Sequence, residues 1–371
     1  MEENVKKWRR DLHQIPELGL EVHQTATYLQ EQLETMGYQV TRILDAGLLV
    51  YIDLGFKTSI AFRCDMDALE IQEKNEVSYR SKKAGLMHAC GHDGHMATML
   101  GFASKLKQEK IHSNHNILLI FQPGEESPGG AKLIMETNIK EKYNLQAIFG
   151  MHLMPTYDYG QIACKAGPLM AQNGELDLTI HGQSAHAGLY HEGIDTIVIA
   201  SQIIQQYQDL ISRTISPFEP IVLHIGQIEG GSARNIVAQK TVVKGTIRAF
   251  DEKVFLELTR KMEAIHQAYE QSYGCTIEFS CPPMYPPVIN DETVYQQFKK
   301  CVVGEYIEIK DPFMLAEDFS YYQKEIPGVF FYVGTKTNDK FSGLHTPNFD
   351  FDETILLQAI DIYMNIVNNY K

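Results

Sequence analysis

Within eight residues, His88-Ala-Cys90-Gly-His92-Asp93-Gly-His95 sets four side chains that can hold a metal ion. A thiolate and an imidazole two positions apart across a glycine can converge on one ion, because glycine tolerates the tight turn this requires. A loop merely rich in histidine is the plainer alternative, and so dense a donor set weighs against it. His88 and His95 stay open between supporting the site and packing beneath it, and Asp93 is placed to orient an imidazole. A second stretch, Pro123-Gly-Glu125-Glu126, closes the apolar run NILLIF. Adjacent carboxylates raise one another's pKa and cost stability unless a cation or shared proton compensates. On a solvated surface such a pair is commonplace; at the end of a strand, between Pro-Gly and a loop, it suggests function. In extended backbone the two would face opposite sides, one ligating metal and the other meeting a bound water as general base. His152 ends the run AIFGMH, and His345 lies in the loop GLHTP. Cys90, His92, Glu126, His152 and His345 are too many ligands for one tetrahedral ion. They suit two ions a few ångströms apart, with the Cys90 thiolate donating to both.

The elements that must bring these residues together follow from the pattern of apolar runs. LLVYIDLG (48–55), SIAFRCDM (59–66), NILLIFQP (116–123) and LQAIFGMHL (145–153) read as sheet strands. Between the second and third lies a helical stretch with Met96, Met99, Leu100, Ala103 and Leu106 on one side. Strand, helix, strand implies a largely parallel α/β sheet, with the donor-bearing loops along one edge, where open α/β sheets bind their ligands. From about 169 to 282 the order becomes β-α-β-β-α-β. Ile197, Ala200, Ile204, Tyr207 and Ile211 form the apolar stripe of its first helix, and Phe255, Leu258, Met262, Ile265 and Tyr269 that of its second. PPMYPP (282–287) halts regular structure before helices and strands resume. The expected organisation is therefore a discontinuous catalytic, metal-binding domain, 1–168 with 283–371, and an inserted domain, 169–282. One continuous domain with a long excursion is the alternative.

Composition narrows the partners. The 371 residues carry 47 acidic and 33 basic side chains, a formal charge of −14. No nucleic acid is expected, since that polymer demands clustered Lys and Arg, and an anionic membrane surface is disfavoured by the same sign. No stretch approaches the ~18 apolar residues of a membrane span, and MEENVKKWRRDLHQIPE lacks the apolar core of a secretory signal. A cytoplasmic protein is expected. Its cysteines would then be thiols, with Cys64, Cys164, Cys275, Cys281 and Cys301 serving packing and Cys90 alone set apart. Met87, Met96 and Met99 read as core.

RCDMDAL (63–69), MHACGHDGH (87–95), FQPGEE (121–126), GMHL (150–153), SAHAG (184–188), ARNIVA (233–238), GTIRAF (245–250), LAEDFSYY (315–322) and GLHTPNFDFDE (343–353) together resemble the M20 metallopeptidase clan. They are similar to its amidohydrolase branch, which includes hippurate hydrolases, N-acyl-amino-acid amidohydrolases, auxin-conjugate hydrolases and N-acetyldiaminopimelate deacetylases. The likeness spans nearly the whole chain. It implies a zinc-peptidase-like α/β catalytic domain and a ferredoxin-like lid through which a homodimer forms. It also implies two divalent cations per subunit (Zn, Mn, Co or Ni), with Cys90 bridging, His92, Glu126, His152 and His345 completing the ligands, and Glu125 as base. In such enzymes His186 would lend an N–H to the oxyanion, often across the dimer, while Asn235 and Arg248 would hold the substrate carboxylate. Asp65 and Asp67 would orient the metal shell. Tyr190 stands where relatives commonly carry proline after the SAHA motif, which bears on the acyl side of the substrate. Taken alone, His186 could be an ordinary exposed histidine, Arg248 a surface ion-pair partner and Asn235 a turn residue, although a planar guanidinium suits a carboxylate.

The expected activity is metal-dependent hydrolysis of the amide of N-acyl amino acids, acetyl, benzoyl or similar, releasing amino acid and carboxylic acid. A cation-activated water would attack, with Glu125 taking its proton. N-acetyldiaminopimelate deacetylation in lysine biosynthesis, and dipeptidase or carboxypeptidase action at the same site, are alternatives. Outside this class stand a thiol hydrolase with Cys90 as nucleophile and a metal-binding protein without catalysis.

Overall fold

A strand covered on both faces should be apolar at nearly every position. Ser59–Asp65 and Asn116–Gln122 are buried throughout, and so occupy the interior of a sheet. The computed structural model describes residues 1–340 and 342–371. Contacts divide the chain into two units: Met1–Leu169 with Ile289–Asp311 and Asp318–Lys371, and Met170–Val288 with Pro312–Glu317.

The larger unit is built on an eight-stranded sheet in the order Val40–Ile43, Gly47–Ile52, Asn116–Gln122, Ser59–Asp65, Leu145–Asp158, Gly328–Lys336, Gln161–Cys164, Glu305–Glu308. Its four central strands, from Asn116–Gln122 to Gly328–Lys336, run parallel, while the pairings on either side of them are antiparallel. The sheet is thus mixed, with the expected parallel core. The helix His92–Gln108 is buried along most of its length and packs against Glu2–His13 and Ile355–Asn369. Gly101 permits this approach: a Cβ there would collide with Ile360. Met87, Met96 and Met99 lie in this core.

His152 does not end its strand. Leu145–Asp158 continues six residues beyond it, because pairing with Gly328–Lys336 runs on from His152↔Tyr332 through Met154↔Gly334. The imidazole is therefore carried by rigid sheet rather than by a loop.

The smaller unit has the β-α-β-β-α-β order, as an antiparallel sheet with neighbours Thr276–Ser280, Gln172–His181, Lys240–Ala249 and Ile221–Gly230. The helices Thr196–Asp209 and Glu252–Tyr273 bury their stripes with Leu176, Leu178, Ile180, Val243 and Ile247 of the sheet. Along the first helix the buried set is Ile199, Ala200, Ile203 and Tyr207, and Ile197 is exposed. The expected stripe was rotated about one residue. Isoleucines at 197, 199, 203 and 204 allow either phase, and the Asp195 carboxylate, which caps Ile197 and Val198, sets where the helix begins. Ile221–Gly230 is an edge strand with Val222 and Ile228 exposed.

Candidate metal centre

The turn that carries Cys90 works because Gly91 has φ +89°, a left-handed conformation costly for other residues, and stands as N-cap of the helix that His92 opens. His92 Nδ1 lies 2.8 Å from the Asp67 carbonyl, and His152 Nδ1 2.7 Å from the Leu153 carbonyl. A carbonyl only accepts, so both Nδ1 atoms carry a hydrogen, which leaves Nε2 of each ring as the position for a metal ion or a second proton. His152 Nε2 stands 3.3 Å from Cys90 Sγ, and His345 Nε2 stands 3.3 Å from the same sulfur. His345 Nε2 is also 3.1 Å from Glu126 Oε1. The His345 backbone has φ +58°, uncommon for a side-chain-bearing residue, and its N–H donates to Ala89 O at 2.9 Å.

Glu125 and Glu126 lie in a turn rather than in extended backbone. Gly124, at φ +72°, reverses the chain after the strand. The consecutive N–H groups of Glu125 and Glu126 then donate to the two oxygens of Asp67, at 2.9 and 3.0 Å. As a result both glutamates offer oxygens to one space: donor atoms of His92, Glu125 and Glu126 lie within 4.8 Å of one another. The expectation that the carboxylates diverge is corrected. Of the other sets that meet the same limit, Cys90–His92–His152 and Cys90–Glu126–His345 share the sulfur. The six residues singled out for metal and base chemistry are therefore assembled together.

Charge balance points to cations. Burial opposes protonation of His92, yet Asp65, Asp67 and Glu126 draw it up to about 10. A proton there offsets the surrounding carboxylates, which is the role a divalent ion would fill better. His92 Nε2 is buried without a hydrogen-bond partner among the described residues, as a ligating nitrogen would be before its ion binds. The donor set of thiolate, imidazole and carboxylate suits Zn²⁺, Mn²⁺, Co²⁺ or Ni²⁺. Burial, then the Glu126 and Glu125 charges, push the Cys90 thiol well above its ordinary value. A thiol nucleophile needs the opposite shift, which disfavours a Cys90 thiol hydrolase.

His95 is no ligand. Its Nε2 accepts the Leu153 N–H at 3.0 Å, so its Nδ1 carries the hydrogen and donates to Asp65 Oδ1 at 2.6 Å. Asp65 also takes Arg63 Nη1 at 2.9 Å. Burial would raise its carboxyl, but His92, His95 and Arg63 hold it well below the usual range. His88 is buried, and burial pushes it down to about 3; it packs beneath the site as a neutral ring. Asp93 does orient an imidazole, but that of His13 rather than of a candidate ligand. Its Oδ2 accepts His13 Nδ1 at 2.7 Å and Arg9 Nε at 2.8 Å. At the first turn of the helix its carboxylate points back toward Glu2–His13, away from the Nδ1 of His92. Sequence reasoning missed a buried network under the site: Arg63 Nη2 donates to Asp318 Oδ1 at 2.7 Å, and Gln122 Nε2 donates to the same carboxylate at 2.7 and 3.0 Å. Arg63 within the apolar run IAFRC was the available signal, since a charge inside a buried strand needs a partner.

In the smaller unit, His186 and Asn235 are neighbours: the N–H of Ala187 donates to Asn235 O at 3.0 Å, and His186 pairs with Ile236. Both side chains are exposed. Arg248 is elsewhere. It lies opposite Asn173, whereas the loop bearing His186 leaves the sheet at the His181↔Lys240 pair. Eight residues of strand separate the two ends, about 26 Å at ~3.3 Å per residue. Burial lowers the Arg248 guanidinium from its usual value, and its Nη1 donates to the Ile247 carbonyl and to Thr246 Oγ1.

A parallel-cored α/β sheet with these donors converging beside a glutamate pair defines a metallopeptidase-type hydrolase. The chain belongs to Peptidase family M20/M25/M40, which matches residues 61–369. It is 36% identical to the IAA-amino acid hydrolase ILR1-like 4 of Arabidopsis thaliana, covering 98% of this chain and 84% of that protein. It is 34% identical to the N-acetyldiaminopimelate deacetylase of Exiguobacterium sibiricum, covering 98% and 97%. The crystal structure of the Bacillus subtilis YXEP protein, described as a dinuclear metal binding peptidase from the M20 family, is similar with a TM-score of 0.85 and 30% identity, over 99% of this chain and 97% of that one. Among the described residues no helix is long and apolar enough to cross a membrane.

Proposed function

We propose that the protein hydrolyses the amide of N-acyl amino acids with two divalent cations that share Cys90 Sγ, each completed from His92, Glu126, His152 and His345. The observation that carries this is the sulfur of Cys90 at 3.3 Å from both His152 Nε2 and His345 Nε2, with Glu125 beside His92 and Glu126 and outside both Cys90-sharing sets. Two cations held by these residues would supply a water of lowered pKa and a polarised scissile carbonyl. The Glu125 carboxylate takes the proton of that water and later delivers it to the leaving nitrogen. Asp65 and Asp67 orient His95, the glutamate turn and the carbonyl behind His92.

His186 Nδ1 accepts the Gly188 N–H at 3.0 Å, which puts its own hydrogen on Nε2 and makes it a donor for the developing oxyanion. Arg248 and Asn235 fit the substrate carboxylate, the first by its planar fork. Because His186 and Arg248 occupy opposite ends of one sheet, a site that uses both draws them from two chains. The exposed apolar edge Ile221–Gly230 supports a homodimer formed through this unit, acting as lid. The relatives named above are called hydrolases or deacetylases of amino-acid conjugates, in keeping with a small N-acyl amino acid as substrate. Six free cysteines suit a cytoplasmic setting.

The test is a panel of acetyl-, benzoyl- and indole-acetyl-amino acids, N-acetyldiaminopimelate and dipeptides, assayed with Zn²⁺, Mn²⁺, Co²⁺ and Ni²⁺. Turnover of the acyl amino acids that phenanthroline abolishes and added metal restores is expected. Turnover that survives full chelation, or that is confined to dipeptides, would refute the proposal.

A further inference from the structure

Arg9 is buried in the helix Glu2–His13, with 1% of its side chain exposed. Its Nε donates to Asp93 Oδ2 at 2.8 Å, its Nη2 to Asp350 Oδ1 at 3.1 Å and its Nη1 to Glu353 Oε1 at 3.3 Å. The rings of Tyr79 and Phe351 lie over the guanidinium, 4.9 and 4.6 Å from its carbon. A guanidinium sends its N–H groups out in one plane in fixed directions, so it holds these carboxylates at set separations. Asp93 follows His92 at the start of its helix, and Asp350 and Glu353 follow His345 in its loop. His92 belongs to one of the two donor sets that share Cys90, and His345 to the other. One buried side chain thus ties together the segments that carry the two sets.

Such a cluster is an expensive way to gain stability. Removing charges from water is costly, and well-packed apolar groups of the same volume often stabilise as much or more. Geometry is what the guanidinium supplies and an apolar residue would not.

We propose that Arg9 is a positioning residue for the two-cation centre, fixing the spacing of the His92 and His345 segments so that Cys90 Sγ reaches both ions. This rests on the two-cation reading and adds a residue that touches neither ion nor substrate.

The experiment loads the full chain with Mn²⁺ and measures metal per subunit, affinity for the second ion and the electron paramagnetic resonance of an exchange-coupled pair. Wild type is compared with Arg9→Lys, Arg9→Met and Asp350→Asn, with folding followed by urea titration. Tyr207→Phe, which weakens the smaller unit's core away from these loops, is the control. The expected result is a folded Arg9→Lys and Asp350→Asn whose second-ion affinity falls about 10- to 100-fold. Their coupled signal gives way to that of isolated Mn²⁺, whereas Tyr207→Phe keeps the pair. Should the Arg9 variants fail to fold, Asp350→Asn decides alone, since that side chain is already 12% exposed. A coupled pair of wild-type affinity in Asp350→Asn and in any folded Arg9 variant overturns the inference. So does equal loss of the pair in Tyr207→Phe, which would mark a general effect of instability. A wild type that binds only one ion refutes the two-cation reading itself, and one that binds two ions without coupling refutes the sulfur shared between them, so these failures are told apart from that of Arg9.

Discussion

Asp67 spends both carboxylate oxygens on the backbone around Glu125, accepting the N–H of that residue at 2.9 Å and the N–H of Glu126 at 3.0 Å. Its own backbone carbonyl meanwhile fixes His92 through Nδ1. A single residue therefore orients the base, one carboxylate ligand and one imidazole ligand of the proposed centre. Burial raises the Asp67 carboxyl above its ordinary value, a cost that its two backbone hydrogen bonds help to offset.

Asp67→Asn tests that arrangement. The amide keeps one acceptor and turns an NH₂ group toward the second N–H, so one glutamate backbone loses its anchor. We expect a folded protein with turnover and metal affinity each reduced about 10- to 100-fold. Steady-state kinetics at saturating metal, with a parallel metal titration, measure both; unchanged values would show that the turn holds without this clamp.

Glu125→Gln separates proton transfer from ligation. The amide is nearly isosteric, and Glu125 lies outside both sets that share Cys90. Metal content should stay at the wild-type level while kcat falls about 10²- to 10⁴-fold. Elemental analysis of the purified variant beside its kinetics decides the matter, and loss of metal in step with activity would make Glu125 a ligand instead.

How far the chain could be understood before folding depended on the range of the interactions involved. The convergence of Cys90, His92, Glu125, Glu126, His152 and His345 could be read because donor chemistry is a property of residue type and most of them follow or open an apolar run, although His152 proves to lie inside its strand and His345 in a loop. The partner of Asp93 was not legible: His13 is 80 residues away, and nothing in HDGH prefers it over a neighbouring imidazole. The same holds for Arg63 and Asp318, 255 residues apart. His95 looks like a ligand in sequence and is excluded only by the Leu153 N–H that occupies its Nε2. The turn at Glu125 was misjudged for the opposite reason: a local pattern read as strand is overridden by Gly124 and by the distant Asp67 carboxylate. The rotated stripe at Ile197 shows that periodicity finds a helix more surely than its phase when isoleucines crowd both faces.

Opposite placement of His186 and Arg248 on one sheet yields a prediction about pairs of chains. His186→Ala and Glu125→Gln should each be nearly inactive as homodimers. If the histidine reaches its partner's centre, mixed dimers contain one site with neither lesion. Co-expression with two affinity tags, followed by tandem purification, should then recover about half the wild-type activity per dimer. Mixed dimers as inactive as either parent would place both residues in the same chain's site.

The last expectation concerns the smaller unit and involves no metal. Tyr207 Oη lies 2.5 Å from His266 Nε2 inside its core. Burial pushes His266 down to about 4, against about 6.5 in an unfolded chain. Between these values the unfolded chain binds the extra proton, so stability is fully present above about pH 6.5 and declines as pH falls through the window toward 4. At about 1.4 kcal/mol for each tenfold change in proton affinity, the loss reaches about 2–3 kcal/mol. Carboxylates held low elsewhere, such as Asp350 beside Arg9, also weaken the fold in acid, so the wild-type curve alone is not diagnostic. The double variant Tyr207→Phe/His266→Leu removes the titrating group together with its partner and leaves no orphaned polar atom. Urea midpoints for both proteins at pH 7.5 and pH 5 should converge as pH falls, the variant losing less. Parallel losses would mean that His266 takes up its proton in the folded core as readily as in the open chain.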